Sequence, residues 1–409
     1  MKLKEFIVLF SFFIILVQCM NPIKEASRDK TFSINVDSAQ DFIDLKLSDI
    51  ADSFRLVRLE TSDKSIISAS DYYVSDKYII AFSQDGYYKF ASDGKFIKKM
   101  LGYGRGPDEI SGFLYAYFYD ENNDLLYLED VNLNQKLLVY DLNLDKFVTP
   151  IKKAIHGPMG QIAIYNDSLI IGQSPSYISK PYAILFQNFE GKFISGIPNT
   201  KKILWGDDPE EHYQNSFISI GQNEYRIRFD RDDTLFTLKN NHLVPYIILD
   251  FKEPRESPPN AKQQKGDRGI RFPRMEPPSF LIISVSTIEE ITWFGTSGKS
   301  KSSYKYFFFD KSTGKSSIIR TYDDDFSGVI QTSSGVIPSS MDGTIKFPAF
   351  LKNGKLVVVY QPNLIKKIAE NEINPIFDSN IKKELLDINK NLKETDNAIL
   401  LIGKIKQKI

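Results

Sequence analysis

From Tyr72 onward, apolar and aromatic residues come in short runs that alternate with polar ones. Asp, Asn, Gly and Ser cut the runs, the period-two pattern of β-strands joined by tight turns. Residues 72–74, 78–82, 87–90 and 95–99 read as four consecutive strands, with turns at Ser75-Asp76-Lys77 and Asp93-Gly94. The same grammar returns over 113–148, 161–194, 216–249 and 280–320, the last with separate strands at 280–285 and 289–294, and a last hairpin is predicted over 349–360. Ahead of these sets, 41–50 and 54–60 read as short strands.

The outer turns fall at Gly94, Asp145, Gly191, Asn241, Gly314 and Gly354, mostly at intervals of about 40 to 50 residues, the length of one four-stranded propeller blade. The interval from Asn241 to Gly314 is longer, and an insertion at about 253–278, rich in Pro, Lys and Arg, accounts for the excess. The predicted fold is therefore all-β, a six-bladed β-propeller of four-stranded antiparallel blades, occupying 31–409 as one domain. The tail changes period: apolar residues recur at helical spacing in 363–370 and 381–392, so short C-terminal helices are expected over about 363–392. The apolar stretch 398–402 reads as a final strand able to pair into a blade begun near the N-terminus, which would latch the ring.

The N-terminus departs from this pattern. Met1-Lys2-Leu3-Lys4 is a positive segment and Phe6 to Val17 an apolar one, of signal-peptide length and short of the roughly 20 apolar residues of a spanning helix. The run ends at Leu16-Val17-Gln18-Cys19, and Cys19 is the only cysteine of the chain, so no disulfide framework exists. A lone cysteine at that boundary resembles the lipobox of bacterial lipoproteins, which implies lipidation of Cys19, a signal peptide over 1–19 and a flexible tether over 20–30. Gln18 stands where that motif carries a small residue. The expected address is exported and lipid-anchored to the outer membrane or cell envelope, with the membrane as one partner.

Composition narrows the function. With 52 basic and 52 acidic residues the formal net charge is zero, and nothing supplies the basic surplus that nucleic acid requires. Gly102-Tyr103-Gly104-Arg105-Gly106-Pro107-Asp108-Glu109 looks like a phosphate loop but ends in Pro and two acids, where a phosphate loop needs Lys and Ser or Thr. It reads as a tight crossover between blades, with Arg105, Asp108 and Glu109 as candidate ligand contacts on one face of the ring. Arg226, Arg228 and Asp230 are further candidates. His156, His212 and His242 stand singly, which leaves a hydrolytic triad without its base and predicts neither a cofactor nor a histidine metal site. Asp323-Asp324-Asp325 and Asp230-Arg231-Asp232-Asp233 could offer oxygens to calcium, but such runs are more often solvated turns. The basic segment 262–274 reads as a mobile loop, and Trp205 and Trp293 as packing between blades.

Four stretches together resemble the six-bladed β-propeller lipoproteins of Bacteroidetes, of the NHL/TolB-like kind: Cys19; Gly102 to Glu109; Arg228-Phe229-Asp230-Arg231-Asp232-Asp233-Thr234-Leu235-Phe236 with Leu243-Val244-Pro245-Tyr246; and Ile368-Ala369-Glu370 through Asn374-Pro375-Ile376. Asp108 departs from the Gly usual there. The resemblance implies a single propeller and an exported, membrane-tethered protein, and no established substrate. The expected role is a binding module for a glycan, a peptide or an outer-membrane partner. The alternative is a propeller hydrolase or lyase with an acid-lined, calcium-dependent central site. Convergence of Arg105, Glu109, Arg226, Arg228 and Asp230 in the channel would favour a pocket; local pairing at blade junctions would not.

Overall fold

A computed structural model describes residues 31–37, 39, 41–83, 85–104, 106, 109–110, 114–130, 135–155, 161–166, 169–173, 181–198, 202–203, 212–213, 216–220, 225–229, 232–251, 268–294, 297–332, 336–338, 347–351, 353–370 and 379–406. Its strands form blades in chain order. Blade I is Ala69–Val74, Tyr78–Ser83, Gly86–Ala91 and Phe96–Tyr103; blade II is Leu114–Asp120, Leu125–Asp130, Lys136–Asp141 and Lys146–Phe147. Blade III is Gln161–Tyr165, Leu169–Gln173, Tyr182–Asn188 and Phe193–Pro198, and blade IV is Ser216–Ile220, Tyr225–Phe229, Thr234–Lys239 and His242–Asp250. Blade V is Arg268–Met275, Phe280–Phe294, Ser297–Asp310 and Ser316–Asp324.

Neighbouring strands within each blade pair antiparallel, as the hairpin reading requires. All six expected outer turns take positive φ: Gly94 at 89°, Asp145 at 51°, Gly191 at 82°, Asn241 at 65°, Gly314 at 73° and Gly354 at 76°. Only Gly, Asn and Asp enter that region at low cost, so the turn chemistry written into the sequence is the chemistry the backbone uses.

The expectation of six four-stranded blades is corrected to five. The remaining strands belong to both ends of the chain. Ala349–Phe350, Lys355–Tyr360 and Ile399–Ile405 form a sheet whose other edge is the N-terminal strand Ala51–Arg58, with Leu56 opposite Leu401 and Val57 opposite Leu400. The expected pairing of the last strand with an N-terminal one is thus present. Two further N-terminal strands were not foreseen as parallel edges. Phe32–Asn35 lies parallel to His242–Asp250 of blade IV, and Phe42–Lys46 lies parallel to Ser316–Asp324 of blade V. They cover outer edges that would otherwise present unpaired backbone groups. The expected insertion also shrinks, because from Arg268 onward it is the inner strand of blade V; the segments 280–285 and 289–294 are one long strand, Phe280–Phe294.

The core lies between sheets. Val57 and Leu400 of the end sheet pack with Val74, Ile79 and Tyr88 of blade I, and Ile80, Phe82 and Tyr87 of blade I pack with Tyr119, Leu126 and Tyr140 of blade II. Phe118, Tyr127 and Val139 join blade II to Ile184 and Phe186 of blade III and Ile227 of blade IV. Leu235 and Ile247 continue to Leu281 and Phe307 of blade V, and Ile282 and Tyr306 close back on Leu356 and Leu401 of the end sheet. The helices Pro362–Glu370 and Ser379–Asn389 insert Ile365, Ile368, Ile381 and Leu385 into that last cluster, which is the helical spacing read from the sequence. Each such side chain, fully buried, stabilises by about 1.5–3 kcal/mol relative to exposure.

Candidate functional site

Blade I positions the most promising chemistry at one end of its strands. Its register aligns Asp71 with Phe82, Phe82 with Tyr87, and Tyr87 with Leu101, a cross-strand row from the inner strand to the outer one. Neighbouring side chains in such a row lie close enough to touch. Tyr117, from the inner strand of blade II, closes the row: its ring stacks on Phe82 with centroids 4.3 Å apart and meets the Tyr87 ring edge-on at 6.3 Å. Its hydroxyl donates to Asp71 Oδ2 at 2.7 Å. Burial of that hydroxyl, followed by the Asp71 carboxylate, pushes the Tyr117 phenol well above its ordinary value. The ring is therefore held on one face and at its tip, yet the residue remains 40% exposed.

Beside this row lies an open hollow of about 500 Å³ lined by Asp85, Lys99, Met100, Gly102, Tyr103 and Glu109. Tyr103, at the end of the outer strand, is 42% exposed. Asp85 accepts from Ser83 Oγ at 2.6 Å, from the Tyr88 hydroxyl and from Lys99 Nζ at 3.4 Å. Burial alone would raise its carboxyl, but the hydrogen bonds from Ser83 and Tyr88 and the charge of Lys99 outweigh it and hold the group below the usual range. Burial likewise lowers Lys99, and its interactions with Tyr88 and Asp85 more than offset this, so it stays protonated. The hollow thus offers charges of both signs beside the exposed ring of Tyr103.

The Gly-rich loop forms its rim. Gly102 and Tyr103 pair in parallel with Glu109 and Ile110, and Gly104 N–H donates to Ile110 O at 3.0 Å. Glu109 folds back so that Oε2 accepts the Gly106 N–H at 2.6 Å. A Cβ built on Gly104 would overlap that carboxylate, and one on Gly106 would press it at 3.1 Å. The glycines are there to admit Glu109, a close approach that only a residue without Cβ permits.

The other candidates separate from this loop. Arg226 is buried between blades IV and V, where Nε and Nη2 donate to Glu276 at 2.9 and 2.7 Å and Nη1 donates to Thr237 Oγ1 at 2.7 Å. Its guanidinium lies 3.7 Å from the centroid of the Tyr246 ring, and Lys311 Nζ reaches Glu276 at 3.2 Å. Arg228, two residues on and so on the same strand face, is buried as well. Glu109 and Arg226 therefore each pair locally, one on its own loop and one at a blade junction. Arg105, Asp108, Asp230 and Cys19 lie outside the described residues, as do His156, Trp205 and the side chains of His212 and Trp293.

The aspartate run 323–325 is not the solvated turn expected of it. Asp324 is buried at the junction of blade V with the end sheet, accepting the Tyr360 hydroxyl at 2.8 Å and Ser327 Oγ at 2.7 Å, and burial raises its carboxyl. Asp325, 1% exposed, accepts Ser48 N–H at 3.1 Å. Among the described residues no group of three or more His, Cys, Asp or Glu side chains draws together as metal ligands do. The tyrosines and Asp85 of the blade I site escaped sequence reading because single aromatic positions in strands look like core. Only Tyr103, standing between two glycines of a loop where packing has little use for a ring, carried a signal.

These features define an all-β, propeller-like protein. The family described as domain of unknown function DUF4934 matches residues 31–404, and the chain belongs to it. A search of curated proteins finds no match. Among solved structures the chain is similar to a Bacteroides fragilis protein provisionally described as exported, at 15% identity and TM-score 0.56, covering 92% of this chain and 99% of that one. It also matches the extracellular domain of a protein of B. thetaiotaomicron provisionally described as a one-component system. That match has 12% identity and TM-score 0.37, covering 74% of this chain and 32% of that one. The first likeness supports the fold.

Proposed function

We propose that the protein is an exported, lipid-anchored binding module of the cell envelope, which presents the end of blade I to its ligand. The observation that carries this reading is the open hollow beside the Gly-rich loop, where Tyr103, Lys99, Asp85 and Glu109 gather at an accessible surface. Aromatic surface with a few placed polar groups is the usual composition of a recognition site. The apolar N-terminal segment ending at Cys19 supports export and anchoring, and the Bacteroides fragilis neighbour's description as exported agrees with that address. In this reading the sheet made from both chain ends, packed against blades V and I, ties the two ends of the chain together.

Affinity capture from solubilised envelopes with the full chain is the test. A reproducibly retained ligand, together with release of the protein from the membrane fraction by Cys19→Ser, is expected. Absence of any retained ligand overturns the binding role, and a Cys19→Ser protein that stays in the membrane fraction overturns the anchor.

A further inference from the structure

We infer that Asn353 is a modification site, whose side-chain amide converts spontaneously to a carboxylate when the end sheet parts from blades I and II. The product then weakens that junction for good, whatever ligand the protein binds. Asn353-Gly354 is the one Asn-Gly pair of the chain, and a Gly after Asn opens the backbone nitrogen to the side-chain carbonyl carbon, with no Cβ in the way. The pair forms an exposed turn between Ala349–Phe350 and Lys355–Tyr360, with Gly354 at a φ of 76°. In the reaction the Gly354 nitrogen gives up its proton and attacks Cγ of Asn353. The Cγ–Nδ2 bond breaks, and ammonia leaves with that proton. Water, the only co-reactant, then opens the cyclic imide. Cleavage at one carbonyl gives aspartate; at the other it gives isoaspartate, whose backbone runs through the side-chain carbon.

The folded junction holds both reacting groups. Asn353 Nδ2 donates to the Val74 carbonyl of blade I at 2.9 Å and to Glu121 Oε1, just after the inner strand of blade II, at 3.1 Å. Its Oδ1 accepts the Lys355 N–H at 3.2 Å. Donors meet acceptors only with the amide in this orientation. The Gly354 N–H is committed as well, donating to Leu351 O at 2.9 Å. Because Nδ2 must leave and the Gly354 nitrogen must be free to attack, these bonds break first, and the reaction waits on local opening. The product cannot remake them. A carboxylate only accepts hydrogen bonds, so it meets the Val74 carbonyl and the Glu121 carboxylate with repulsion. Glu121 is held in place on its other side by the Tyr73 hydroxyl at 3.0 Å. Isoaspartate adds a backbone carbon beside Gly354, whose carbonyl accepts the Ile405 N–H at 3.1 Å. It also shifts Lys355, whose Nζ meets Asp76 of blade I at 2.7 Å.

The test incubates the full chain at mildly alkaline pH, folded and in guanidinium chloride, and follows Asn353 by peptide mass mapping and isoaspartate labelling. Modification of Asn353 in the unfolded chain, slowed about tenfold or more by folding, is expected. Glu121→Ala, which removes one acceptor, should speed the reaction in the folded chain. Asn353→Gln, whose longer side chain closes the ring far more slowly, should suppress it. Asn353→Asp, which carries the product's charge, should lower the melting temperature at neutral pH and raise hydrogen exchange at the Ile405 amide. Equal rates in the folded and unfolded chains, or an unmodified Asn353 in the unfolded one, overturn the site. An Asn353→Asp protein with unaltered melting and unaltered Ile405 protection overturns the loosening. Should Glu121→Ala unfold, the folded and unfolded rates of the unsubstituted chain decide.

Discussion

At the scale of single residues, Glu109 shows how a loop with the look of an active site becomes a structural joint. Its carboxylate closes onto the Gly106 amide, and Gly104 leaves the space it occupies. Gly104→Ala is expected to push the carboxylate off the loop with little change in melting temperature, because the atom displaced is the end of a flexible side chain. Loss of hydrogen-exchange protection at the Gly106 amide, and not elsewhere in blade I, is the measurement. Asp44 offers a second residue-level prediction. Arg320 first, then Thr321, holds its carboxyl down at about 2 against an ordinary 3.8. A depressed folded-state value stabilises the fold above the unfolded group's range and loses that contribution as pH falls toward 2. Titration followed by carboxyl NMR should place Asp44 near 2, and Arg320→Ala should return it toward the ordinary value. Salt should weaken the effect, since both partners are exposed.

At the scale of elements, the blade is the unit, and its junctions hold the buried charge. Arg226 of blade IV and Lys311 of blade V converge on Glu276, between the blades. Glu276→Ala leaves two cations beneath the surface with no carboxylate, and a loss of about 3–5 kcal/mol is expected, read from urea unfolding. Replacing Arg226 and Glu276 together by Met and Leu should restore much of it, because the penalty belongs to the orphaned charge rather than to the pair. Lys153 with Glu129, 1% and 0% exposed, is the same device inside blade II. Strands and hairpin turns were legible residue by residue, since alternation and Asp, Asn or Gly at a turn are local signals. The edge strand Phe32–Asn35 was not, and Phe42–Lys46 was legible as a strand within 41–50 but not as a parallel edge, because its partner is an outer edge of blade V more than 200 residues away, as blade IV is for Phe32–Asn35. The long hairpin Phe280–Phe294 with Ser297–Asp310 looked like separate short strands because Ser and Thr interrupt its apolar run without breaking its backbone pairing.

At the scale of the whole molecule, the end sheet ties the chain's two ends together, and its stability is inseparable from that of blades I and V. A chain ending at Asn397, lacking Ile399–Ile405, loses the central partner of both Ala51–Arg58 and Lys355–Tyr360. It is expected to lose a single cooperative thermal transition and to be cut by protease within the end sheet, whereas the full chain melts as one unit. Retention of one sharp transition would show that the latch is dispensable. By itself, the sequence determined the fold class, the blade period and the six positive-φ turns, because strand alternation and turn chemistry act over a few residues. Only the tertiary structure decided that five blades are continuous meanders while the last sheet borrows a strand from the N-terminus. It also decided that Arg226 and Glu109 serve separate local roles, and that Tyr103, Asp85 and Lys99 line one hollow. Those outcomes depend on pairing between distant segments and on which side chains the assembled core leaves at its rim, and neither is encoded in any short window of sequence.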